Sequence, residues 1–263
     1  MNSAYNVHVL VKRMSYSAIL LALSVVLTRF ASVPLFGWLR LGFGSIPIVL
    51  SSLIVGPIWG CLVGAGADLL GSFLFPQGAY FFGYTIDAAL QGVLPWVTMF
   101  LLKGRRKYQT GVAVTLALLM TGMAAAFVFI FSQYRKNDIP TWLRICIPFF
   151  FLIYFVAVFL LFVSIEKSKR ISSPAREDRK AGLIDIYMIC MVNECIISIG
   201  ILGIWNQMLY NIPYIYSSFT QMLIFSINGL IRTAIIFLVV NALLSADKSF
   251  SLIPEKRIKK PLK

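Results

Sequence analysis

Eight stretches of the chain are apolar over the length, or nearly the length, of a bilayer crossing, and nothing else in the sequence restricts its fold as strongly. A membrane-crossing helix needs about 20 mostly apolar residues, each rising about 1.5 Å through a hydrocarbon layer about 30 Å thick. The candidates cover residues 15–36, 42–55, 57–75, 84–102, 111–132, 143–165, 183–205 and 219–246, the second being short. Lipid offers no partner to backbone N–H and C=O groups, so these runs are expected as helices and the chain as an all-α integral membrane protein. Its 13% of charged residues contrasts with about 25% in soluble domains.

The net charge of +14 would suggest nucleic acid in a soluble protein, but its placement gives it another meaning here. Lys and Arg gather at 12–13, 103–107, 167–180 and 248–263. Eight spans threaded from a cytoplasmic N-terminus put all four clusters in the cytoplasm, as the positive-inside rule requires, with anionic lipid as their contact. Both termini are therefore expected inside, and no nucleic-acid partner is expected. Lys12 and Arg13 precede an apolar run as in a signal peptide, but Arg29 and the lack of a small-residue cleavage site argue against removal. Cys61, Cys146, Cys190 and Cys195 lie in apolar runs without paired spacing and read as small hydrophobes. His8, the single histidine, sits in the N-terminal tail, so neither a metal site, a cofactor site nor histidine-based catalysis is expected. No Gly-Lys-Ser/Thr phosphate loop is present, so ATP is not bound through that motif.

Polar residues are spread unevenly. The fifth and sixth spans carry almost no intramembrane charge, whereas the last two hold Asp185, Asn193, Glu194, Asn206, Asn228, Arg232 and Asn241, which only a bundle interior could satisfy. This divides the single membrane domain into core helices over 15–102, an inserted hairpin with basic flanks over 103–180, core helices over 183–246 and a basic tail over 247–263.

The stretch "GPIWGCLVGAGADLLGS" repeats small or polar residues every fourth position, at Gly56, Gly60, Gly64, Asp68 and Ser72, so all lie along one drifting stripe of a helix. Glycines so spaced let another backbone approach closely. Asp68 then either locks this helix to a neighbour by a hydrogen bond or meets a ligand directly. Two irregular outer segments follow from the topology, "RFASVPLFGWLRLGFGSIP" and "FPQGAYFFGYTID", rich in aromatics and carrying Arg29, Trp38, Arg40, Phe43, Tyr80, Phe81, Tyr84 and Asp87. Arginines with stacked rings suit an aromatic anion, since guanidinium pairs bidentately with carboxylate. The competing reading is an interfacial aromatic belt with snorkelling arginines, which accounts for Trp38 and Tyr80 but not for Asp87. Ala18 and Ala22 form a small-xxx-small patch on the first helix.

With "RLGFGSIPIVLSSLIVGPIWGCLVGAGADLLG" followed by "FPQGAYFFGYTIDAALQG", the chain resembles the substrate-binding S components of energy-coupling factor (ECF) vitamin importers, the folate type in particular. The resemblance covers residues 16–92 and is looser over 183–244. It implies a six-helix bundle, here with an inserted two-helix transmembrane hairpin, that binds a vitamin from outside and assembles with a transmembrane coupling protein and two cytoplasmic ATPases. It further implies that Ala18 and Ala22 dock on the coupling protein. On this reading Arg29 and Arg40 meet carboxylates, Tyr80, Phe81, Tyr84 and Trp205 flank rings, and Asp87 or Asn206 binds polar ring edges. Phe82 stands where the folate type usually has proline, and Asp87 where it usually has serine. The expected role is substrate binding without catalysis, for folate or a related pterin; the alternatives are a different vitamin and, from another class, a lipid-modifying membrane enzyme.

Overall fold

The computed structural model describes residues 2–36, 39–76, 80–102 and 182–246. The expected hairpin over 103–180 and the basic tail lie outside the described residues. Helix α1 (Asn2–Arg29) is followed by a two-stranded antiparallel ribbon, β1 (Val33–Phe36) and β2 (Leu39–Leu41), in which Pro34 stands opposite Arg40. The ribbon corrects the expectation of helix to residue 36, while the rest of the described chain is helical as expected. Pro34 has no N–H for a helical ladder and disfavours helical geometry at Val33, while a two-stranded ribbon accommodates proline at its edge.

Helix α2 (Ser45–Ile54) is buried on all sides from Ile46 to Leu53, as expected of a helix apolar all round. Ten residues rise only about 15 Å, half a bilayer. Its entrance is pressed against α1: the Ser24 hydroxyl donates to the Gly44 carbonyl at 2.8 Å, and a Cβ on Gly44 would strike Thr28. Gly56 turns the chain into α3 (Pro57–Leu74) with φ +123°, a conformation that favours glycine, and Pro57 opens the new helix.

Helices α3 and α4 (Phe82–Leu102) run antiparallel in backbone contact. A Cβ on Gly60 would strike the Gly92 carbonyl and the Ser52 backbone, one on Gly64 the Ala88 carbonyl, and one on Gly92 the Gly60 carbonyl. Three helices thus meet at Gly60, and the Trp96 N–H, one residue beyond Pro95, donates to Ser52 Oγ at 3.2 Å across this junction.

Helix α5 (Leu183–Asn193), a π-helical stretch (Glu194–Ile201) and α6 (Leu202–Tyr210) form one rod, which Asn211 ends in left-handed geometry before α7 (Tyr214–Ala246). The two rods share a buried ion pair, Arg232 to Glu194 at 3.1 Å, where the π stretch begins. Asp185 instead serves at the helix start, accepting from the Gly182 N–H. Ile46, Val49, Leu50 and Leu53 of α2 pack with Ile186–Met191 and with Phe225, Ile236 and Val240 of α7 to form the main core.

Among the described residues, Leu10–Arg29, Pro57–Leu74 and Asp185–Tyr210 are long and apolar enough to cross a membrane, and Ser45–Ile54 and Asn228–Leu243 are shorter apolar helices. The protein is a helical membrane protein.

The packing predicts a contrast between two neighbouring glycines. Gly64→Ala meets backbone atoms that cannot move aside, whereas Gly66→Ala meets only the end of the Leu21 side chain. In detergent, Gly64→Ala is expected to lower thermal stability by about 1–3 kcal/mol or more, the usual range for overpacking, with a clearly smaller effect for Gly66→Ala. Equal unfolding temperatures for the two variants would contradict the close α3–α4 contact.

Candidate functional site

The glycine stripe of α3 ends in polar residues, and these set the site's geometry. One turn beyond the Gly64–Ala88 contact, the Thr85 hydroxyl donates to Asp68 Oδ2 at 2.6 Å. Its single proton being used there, Thr85 accepts from the Tyr80 hydroxyl at 2.8 Å. Asp68 therefore locks α3 to α4, one of the two roles its position allowed. A turn further along α3, Arg29 reaches across from α1 and donates to Ser72 Oγ at 3.2 Å, its guanidinium lying over Gly71 where a Cβ would displace it. Phe30 and Phe75 meet edge to face beside it, centroids 5.2 Å apart.

Across this end of the bundle, α4 and α6 close an aromatic wall. Phe81 sits edge-on to both Trp205, at 5.3 Å, and Tyr84, at 5.5 Å. Tyr80 stacks on Phe73 at 6.0 Å. Behind the wall Asp87 is only 7% exposed, and neither of its carboxylate oxygens completes a hydrogen bond among the described residues. The Trp205 indole is near enough to act on that carboxylate, yet its Nε1 also completes no hydrogen bond.

The structure thus gathers Arg29, Asp68, Tyr80, Phe81, Tyr84, Asp87 and Trp205 at one end. Arg40 belongs to β2 of the ribbon that leaves this end of α1, and Trp38 lies outside the described residues. Two side chains are engaged elsewhere. Phe43 packs against the main core, and the Asn206 amide donates to Ser217 Oγ at 2.8 Å, tying α6 to α7. Phe82, 64% exposed, points away from the buried wall. Thr85 was missed in the sequence although it lies on the same α4 face as Ala88 and Gly92; Gly71 and Ser72 form the seat of Arg29. Away from this end, Met14, Ala18, Ala22 and Val26 form an exposed stripe along α1, on the side away from buried Ser17 and Ser24. No group of three metal-ligating side chains occurs among the described residues.

Residues 8–136 match the family model described as the S component of the ECF-type riboflavin transporter. Over these residues, just under half of the chain, the sequence is similar to the S-component family. The family is one of transport subunits, not of enzymes. The match continues past residue 103, where the sequence suggested an insertion. The folate transporter FolT of Clostridium novyi (strain NT) is 37% identical over 117 residues, 44% of this chain and 62% of that protein. The chain thus spans less than two thirds of this relative's length. FolT of Leuconostoc mesenteroides subsp. mesenteroides is 26% identical over 132 residues, 50% of this chain and 70% of the relative. A crystal structure of FolT bound with folic acid shares the fold, with a TM-score of 0.50 over 88% of this chain and 94% of that chain at 17% identity.

The Tyr80–Thr85–Asp68 chain generates a prediction for this end of the bundle. Thr85→Val keeps the shape but leaves Asp68 without its donor, and an unsatisfied buried acceptor costs about 1–3 kcal/mol. Thermal unfolding of the variant should show that loss, and Asp68→Asn, which keeps a neutral hydrogen-bonding group, should show less. A Thr85→Val protein as stable as the wild type would mean that this bond does not hold α3 to α4.

Proposed function

We propose that the protein is the substrate-binding S component of an ATP-driven ECF-type importer, taking up folate or a related pterin and performing no catalysis itself. The observation that carries the reading is the meeting, at one end of a FolT-like bundle, of the Arg29 guanidinium, the Phe81–Tyr84–Trp205 wall and the buried Asp87 carboxylate. Folate combines an aromatic bicycle with an anionic tail, which suits that set of groups. Two relatives are named folate transporters. A riboflavin ligand is the second reading, favoured by the description of the matching family.

The partners of this reading are a transmembrane coupling protein and two cytoplasmic ATPases. The exposed stripe with Ala18 and Ala22 is the docking face, because small side chains let a second helix approach closely. The topology has eight spans with both termini in the cytoplasm and the aromatic end facing outward, and it follows the basic clusters. Spans five and six form a hairpin inserted into a six-helix core.

Mass spectrometry of denatured, purified protein is expected to release a folate-type pterin, and a variant lacking 108–175 to retain it. Release of riboflavin or another vitamin would overturn the folate reading; loss of ligand from a folded, membrane-inserted deletion variant would return spans five and six to the core. Docking has its own test. A close helix contact tolerates little added volume, overpacking costing about 1–3 kcal/mol, so changing Ala18 and Ala22 together to leucine should prevent recovery with coupling protein and ATPases while leaving vitamin affinity intact. A double variant that assembles and transports normally would reduce the stripe to a lipid-facing surface.

A further inference from the structure

Asp87 has an unusual combination of burial and isolation. It is 7% exposed in a membrane bundle and completes no hydrogen bond to either oxygen among the described residues. The other carboxylate of this end, Asp68, already holds the Thr85 hydroxyl. A buried carboxylate without donors is strongly disfavoured, and in membrane helices such groups mark substrate paths and ligand counter-groups. Trp205 lies beside it, its Nε1–H near the carboxylate but completing no hydrogen bond among the described residues, and Phe81 and Tyr84 supply ring surface next to both. The wall therefore offers two acceptors from one carboxylate, one donor, and aromatic faces.

We propose that Asp87 is the specificity-determining residue of this site, accepting two neighbouring N–H groups from the edge of a planar heterocycle, with the Trp205 N–H donating to an acceptor on the same ring. A carboxylate binds two such parallel donors in a fork, as it binds the two N–H groups of a guanidinium. The 2-amino-4-oxopyrimidine edge of a pterin carries this pattern: an exocyclic amino group, a ring N–H and a carbonyl. The imide edge of a flavin carries one N–H between two carbonyls, so the carboxylate would gain one donor and face carbonyl lone pairs on the adjacent atom. Discrimination then comes as much from rejecting the flavin as from holding the pterin. The inference rests on the reading of the chain as a vitamin-binding S component, and it chooses between the two vitamins named in the comparisons.

The test uses the full chain in detergent, with calorimetric titration of folic acid, of folic acid lacking its 2-amino group, of unsubstituted pterin and of riboflavin. Wild-type protein is expected to bind folic acid and to bind the 2-desamino compound more weakly by about tenfold or more, one of the two charge-assisted hydrogen bonds being lost. Asp87→Asn should lose a similar factor for folic acid and then distinguish poorly between the two folates, because the group that reads the amino function has gone. A merely structural Asp87 would weaken both folates equally. If Asp87→Asn does not fold, Trp205→Phe keeps the ring and removes the N–H, and it should weaken folic acid about tenfold. Folic acid binding unchanged in Asp87→Asn overturns the inference while leaving the folate reading in place. Binding of pterin but not folic acid, lost in Asp87→Asn, overturns folate as the ligand and supports the inference. Preference for riboflavin in the wild-type protein, or no binding of any 2-amino ligand, overturns both.

Discussion

The contact on which the rest depends is a bare one, where Gly60 of α3 lies against the Gly92 carbonyl of α4 and the Ser52 backbone of α2 with no room for a side chain. Helices in lipid gain little from apolar burial against one another, so close backbone packing is one of the few ways to fix their positions. Gly64 repeats the contact against Ala88, and the line continues outward into the Asp68–Thr85 hydrogen bond. The same line of contact sets the height of α4 and therefore where Tyr80, Phe81, Tyr84 and Asp87 stand. Residues of α3 thus define the geometry of the aromatic end.

The two aspartates of that end show how environment assigns different roles to one side-chain type. Asp68 is held by a donor at 2.6 Å and joins two helices. Asp87, in the second turn of α4 and more deeply buried, has the Trp205 indole beside it but completes no hydrogen bond among the described residues. Deeper in the bundle the Glu194–Arg232 pair follows a third course, mutual neutralisation. Breaking such a pair costs about 3–5 kcal/mol, because one charge would remain buried alone, so it holds the last two rods in register.

Much of this was legible because periodicity reports which face of a helix is bare. The four-residue spacing from Gly56 to Ser72 located the contact face of α3, and the grouping of Arg29, the aromatics and Asp87 followed from the loops beside it. The partner face was not legible: a stripe on one helix does not say which other helix presses on it, and Ala88 and Gly92 are ordinary small residues until they are seen opposite Gly64 and Gly60. Phe43 and Asn206 were read into the site from their position in the chain, yet contacts elsewhere claimed them, the core for one and Ser217 for the other. The ribbon was hidden in an apolar run whose composition suits helix as well as strand, with Pro34 as its one warning. The π stretch from Glu194 to Ile201 has no marker in the sequence that distinguishes it from the α-helix on either side.

The central claim is that the end of the bundle fixed by the α3–α4 contact is the ligand site. An experimental structure of the full chain with folic acid bound tests it most directly. The account predicts the bicyclic ring against Phe81 and Trp205, with its amino and ring N–H groups within hydrogen-bonding distance of Asp87. A ring seated elsewhere in the bundle, or an Asp87 carboxylate satisfied by a protein donor while the ligand is bound, would contradict it.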